Sequence, residues 1–211
     1  MFRRKTKLDR VSIGKAGLFI PRRVRADVEA TVPMAQRLVQ DHFGRRPLGA
    51  VTVIVAKPRF IPGLAASAQG PAAGVPKAVW EDKDLSITAR PHDIYVVTVV
   101  APNGEVWMLL NSRLARTKPR ELGANLVYGF IEVDQLSDKA AIQRRLTLTR
   151  HEMGTHILTP GKARRLYRAE EDMESEAEQI THKIIGKVVR KHRKAENEAG
   201  REARQAEQSY A

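Results

Sequence analysis

Residues 94–111, IYVVTVVAPNGEVWMLLN, decide the fold class. Two runs of β-branched and apolar residues, Ile94 to Val100 and Glu105 to Asn111, flank Ala-Pro-Asn-Gly. Asn103 and Gly104 tolerate the positive φ that a tight turn requires, so the stretch reads as a hairpin. One of its strands is expected at a sheet edge. Upstream, AVTVIVA, Ala50 to Ala56, is β-branched and too short for a buried helix, which makes it a third strand. Between Lys57 and Lys77 the sequence IPGLAASAQGPAAGVP reads as a long loop, a lid or a rim.

Around this sheet lie helical patterns. Thr31, Val32 and Pro33 look like a helix start, with Met34, Leu38, Val39 and Phe43 at helical spacing and Gly44 as the stop. Ser137, an expected N-cap followed by Asp138, opens a second helix through Ile142, Leu146, Thr149, Met153 and Ile157, ending at Thr159-Pro160-Gly161. A third begins near Glu170, Glu171 and Asp172, with the stripe Met173, Ala177, Ile180, Ile184, Val188. Beyond Arg190 the stripe disappears, leaving a helical or disordered charged tail. The expected organisation is a basic N-terminal arm, 1–25, a folded α+β domain, 26–190, and the tail, 191–211.

The chain has 211 residues, 37 Lys and Arg against 24 Asp and Glu, and a formal net charge of +13. That charge is concentrated at the ends: residues 1–25 hold nine Lys or Arg against one Asp, and residues 183–211 hold eight against four Glu. Such ends act as solubilising termini or as arms for nucleic acid or an acidic protein. With no cysteine, disulfides, thiolate nucleophiles and Cys-based zinc sites are excluded, and any metal must be held by His and carboxylates. No apolar run approaches the roughly 20 residues of a membrane span. MFRRKTK is followed by LDRVSIGKAG without an apolar h-region, so the expected location is cytoplasmic.

Chemistry concentrates in Arg150-His151-Glu152-Met153-Gly154-Thr155-His156, an HExxxH pattern. Two imidazoles can ligate Zn²⁺ while the glutamate beside the first takes a proton from metal-bound water. Metallopeptidase helices usually carry HExxH, since residues four apart share a face. A spacing of five separates the rings by about 140° on a regular helix, and one π-type turn at Gly154 would realign them.

HEMGTHIL resembles the HExGTHxL signature of the tyrosine carboxypeptidase family, zinc enzymes that include those trimming tubulin. The resemblance implies His151 and His156 as zinc ligands and Glu152 as catalytic base. That family's third ligand lies in a Glu-Gly-Leu-Ala type segment, which this chain lacks. Residues 174–185, ESEAEQITHKII, are similar to the third-ligand helix of the immunity-type metallopeptidases of bacterial mobile elements, which points to Glu176. Helical spacing places Glu170 and Glu174 nearer the apolar stripe, so all three remain candidates. The implied fold is a small zincin-like domain, with a short mixed or antiparallel sheet packed on the HExxxH helix and a second long helix.

The expected function is a zinc-dependent peptidase in which an extended substrate pairs with an edge strand, either Ile94 to Val100 or Glu105 to Asn111. Tyr128 and Tyr167 are the candidate phenols for the oxyanion. Arg113, Arg116, Lys118 and Arg120 are candidates for holding a terminal carboxylate. His182 is expected to be solvated, and His42, His92 and His192 show no ligand-like spacing. The alternative is a catalytically inactive zincin-like scaffold acting as a basic nucleic-acid-associated accessory protein.

Overall fold

A computed structural model describes residues 11–16, 20–44, 50–81 and 92–209, with side chains described through residue 199 except at 15 and 16. Residues 1–10 of the expected arm lie outside this range. The elements are β1 (Val11–Ala16), α1 (Arg22–Phe43), β2 (Val51–Ala56), α2 (Ile61–Ala72), α3 (Lys77–Trp80), β3 (Val96–Val100), β4 (Val106–Asn111), α4 (Ser112–Thr117), α5 (Leu122–Gln135), α6 (Lys139–Glu152) and α7 (Pro160–Ser209). This is an α+β fold: four strands form one mixed sheet in the order β1-β2-β4-β3. β1, β2 and β4 run parallel, and β3 pairs antiparallel with β4 through the anticipated hairpin. Among the described residues β4 is therefore interior and β3 is an edge.

Alternation along the strands sorts the core into two layers. Val51, Val53, Val55, Met108 and Leu110 face α1 and α5, meeting Val28, Val39, Leu126 and Phe130. Ile54, Ala56, Val97, Val99 and Leu109 face α2. A sheet buried on both faces explains why β2 and β3 read as near-continuous apolar runs, each interrupted by one threonine.

Several sequence expectations change here. α1 starts at Arg22 rather than Thr31, and Pro33 lies inside it. Its buried stripe, Val24, Val28, Val32, Ala35 and Val39, begins well before the proline, and packing on the sheet outweighs one lost backbone hydrogen bond. The expected arm thus contributes β1 and the first turn of α1. The expected loop between Lys57 and Lys77 contains α2, and α3 begins where it ends. Its alanines favour helix and let the backbone press on the sheet, with Ala65, Ala66 and Ala68 fully buried.

α5 was not anticipated. Its apolar residues surround the helix because it is sandwiched between the sheet, α1 and α7, so no single-face periodicity exists to be read. Gly129 allows this close packing: a Cβ there would stand 3.0 Å from the Met108 thioether. α7 is one helix from Pro160 to Ser209, and its stripe through Ala177 and Ile184 docks on the core. Among the described residues no helix is long and apolar enough to cross a membrane.

Candidate functional site

The HExxxH segment forms the end of α6. Asp138, one residue beyond the expected Ser137, caps its start by accepting from the Ala140 amide. The helix stops at Glu152, Gly154 adopts φ +74°, and the Thr155 and His156 amides both donate to the Arg150 carbonyl at 2.9 and 3.1 Å. This left-handed glycine closure satisfies the terminal carbonyls and replaces the expected π-type turn. His151 remains half-buried and its Nδ1 accepts from the Leu158 amide at 3.3 Å, while His156 is exposed beyond the helix end.

The three expected ligands are not brought together. Glu176 accepts from Gln135 Nε2 at 3.1 Å and lines a separate hollow of about 310 Å³ with Phe43, Asp134 and Ser137. Glu170 is held by Arg144 at 2.8 Å and by Arg145. Among the described residues no three His, Asp or Glu side chains converge as a metal site requires. In this arrangement the donor set does not fit a resident zinc ion.

Glu152 faces elsewhere, into a cleft of about 720 Å³. Residues 94–98, leading into and along β3, form one wall, Ala124, Tyr128 and Glu132 of α5 another, and α6, α7 and Gln69 of α2 further parts of the lining. The hairpin register fixes which backbone groups face outward. Ala101 donates to Glu105, and Asn111 to Tyr95, so residues 95, 97, 99 and 101 point toward β4. The amides and carbonyls of Val96, Thr98 and Val100 therefore point away from it. Arg145 Nη1 reaches the Thr98 carbonyl at 3.3 Å.

Six carboxylates lie in the lining: Glu132, Glu152, Glu170, Glu171, Glu174 and Glu178. On α7, Glu170, Glu174 and Glu178 follow at intervals of four and share one helix face, with Thr181 and His182 completing it. Glu132 lies opposite, 6% exposed, accepting from Thr98 Oγ1 at 3.0 Å and from the Tyr128 phenol at 3.5 Å. Burial pushes its carboxyl up to about 7, with Arg145 opposing that shift and the charges of Glu174 and Glu170 adding to it. Burial also raises Glu174, again against Arg145 and reinforced by its acidic neighbours on α7. The Tyr128 phenol is raised by burial and by Glu132, Glu174 and Glu178, so these three carboxylates act on one point.

At the other end, Tyr167 donates to Glu152 Oε1 at 3.1 Å, and its phenol is pushed up to about 12 by burial and that neighbouring charge. Gln69 of α2, 3% exposed, donates through Nε2 to Thr149 Oγ1. Thr149 gives its own proton to the Arg145 carbonyl, which fixes the orientation of the amide. Gln69 Oε1 is left buried at the cleft lining without a donor.

Of the residues singled out from sequence, Glu152, Tyr128, Tyr167, Glu170, Glu174 and His182 line the cleft, whereas His151, His156 and Glu176 do not. Arg113, Arg116, Lys118 and Arg120 lie on and after α4, outside the lining. His42 packs edge-on against Phe43. Sequence reasoning missed Gln69, Thr98, Glu132 and Arg145. The available signal was Glu132 inside the apolar run LVYGFIEV, since an acidic residue there must be buried with partners. Comparison of the chain with family models, curated proteins and solved structures finds no match.

Proposed function

We propose that this protein binds an extended peptide segment in the cleft beside β3, on a zincin-like layout that does not hold zinc in the arrangement described. The observation carrying this reading is the antiparallel edge strand, whose outward-turned Val96 backbone borders a groove lined by several carboxylates, the buried Thr98 carbonyl being taken by Arg145. Strand addition supplies main-chain hydrogen bonds irrespective of sequence, and the acidic walls favour a positively charged segment. Half-buried Ala124 offers a way to plug the groove. A dye-labelled capped hexapeptide, Thr-Val-Lys-Val-Thr-Val, should raise fluorescence anisotropy saturably with the full chain, and Ala124→Trp should abolish the rise. Equal binding by Ala124→Trp would remove the cleft from consideration.

A second reading, the zinc-dependent peptidase, draws on Glu152 lying in the cleft beside Tyr167. It requires residues 153–159 to rearrange so that His151 and His156 share an ion with a carboxylate. Mass spectrometry of the same peptide after incubation with added zinc separates the two. Cleavage that Glu152→Gln eliminates would favour hydrolysis, and an intact peptide favours binding alone. The nucleic-acid reading rests on the basic face of distal α7, where Lys183, Lys187, Arg190 and Lys194 are aligned. Its signature is an affinity for duplex DNA that falls steeply with salt.

A further inference from the structure

We infer that the α5–α7 end of the cleft is a seat for one lysine or arginine side chain of the bound segment, formed by Glu132, Glu174 and Glu178. This deepens the peptide-binding reading and rests on it. Charge balance is the first reason. The cation nearest these groups, Arg145, is held by Glu170 and the Thr98 carbonyl, and Arg144 is on Glu170 too. Among the described residues Glu132, Glu174 and Glu178 make no ion pair within 4.0 Å, though all three act on the Tyr128 phenol. Like charges four apart on a helix repel, and a cation between them reverses the sign.

Gln69 supplies the second, independent reason. Its Oε1 is a buried acceptor on the same cleft with no donor, and burial without a partner is unfavourable. A peptide provides what both ends lack: a main-chain N–H for Gln69 Oε1 and a cationic side chain for the three carboxylates. A neutral peptide satisfies only the first, and a simple cation only the second. The groups facing Glu132 are Thr98 from β3, Arg145 from α6, Glu170 and Glu174 from α7, and Tyr128 from its own helix. Cation binding should therefore strengthen as pH rises and Glu132 loses its proton.

The test compares the lysine hexapeptide with its norleucine counterpart, by anisotropy on the full chain at low salt. We expect about tenfold tighter binding of the lysine peptide at pH 8, consistent with a charge-assisted contact. That preference should shrink at pH 6 and fall to near unity in Glu174→Gln/Glu178→Gln, with the norleucine peptide still bound. Glu176→Gln, a change of charge outside the cleft, should leave the preference intact. Equal affinity of the two peptides in the parent chain would overturn the seat while leaving the peptide cleft standing. Loss of binding to both peptides would instead remove the underlying reading. Spermidine displacing the lysine peptide at equal concentration would overturn it in favour of a polyamine site.

Discussion

The two ends of the α6–α7 pair carry opposite chemistry. At the α6 C-terminus, His156 is exposed and His151 half-buried, and both sit around a glycine closure that completes the local backbone bonding. At the other end of the cleft, Glu132 is almost wholly buried against Thr98, Tyr128 and Arg145, with further carboxylates across the gap. The histidine end has the recognisable motif but little interior. The carboxylate end has no motif, yet it carries Glu132, Glu174 and Tyr128, all held toward their protonated forms by burial. The lesson is that burial, which decides how strongly a polar group interacts, does not follow how recognisable its sequence is.

The largest expected effect breaks the carboxylate end. Arg145→Met removes a buried guanidinium from Glu170 and from the vicinity of Glu132, and should cost about 3 kcal/mol in urea unfolding, because a buried charge is left short of its partner. Next comes Glu132→Gln, whose effect depends on pH. The folded carboxyl titrates near 7 and the unfolded one near 4.5, so charging Glu132 penalises the fold progressively as pH rises between those values. The variant should match the parent near pH 4 and exceed it by on the order of 2 kcal/mol at pH 8. A parent-like urea midpoint at pH 8 would contradict the assigned burial.

Smaller effects belong to the histidine end. Gly154→Ala places a Cβ at φ +74°, and about 1 kcal/mol of destabilisation is expected from thermal melts. His156→Ala should change stability by less than about 0.5 kcal/mol, as for an exposed side chain. Added zinc should leave the melting temperature of the parent unchanged, since an ion stabilises only a state that binds it. A zinc-dependent rise that His151→Ala abolishes would show that the turn rearranges, and would restore the peptidase reading to first place.

How much was legible varied from element to element. The hairpin was readable because Asn103 and Gly104 sit between two β-branched runs, a signal confined to a few residues. α5 was not, because a helix buried on most sides has no polar face against which a period can be measured. The segment IPGLAASAQGPA was read as a loop from its glycines and prolines, whereas contact with β3 and β4 stabilises it as α2. Within the site, Glu152 stood out through its neighbours in the chain. Gln69 and Arg145 could be assigned only through Thr149, Glu170 and Thr98, which are distant in sequence.

By itself the sequence determined the α+β composition, the strands β2, β3 and β4 and a helix start beside Asp138, because each depends on the conformational preferences of a few adjacent residues. Only the tertiary structure decided that β3 is the edge, that Glu132 and Glu174 face one another while Glu176 turns away, and that the HExxxH histidines do not meet. Strand order and side-chain convergence arise from packing between distant segments, where burial of apolar faces sets the geometry and local preference has no say.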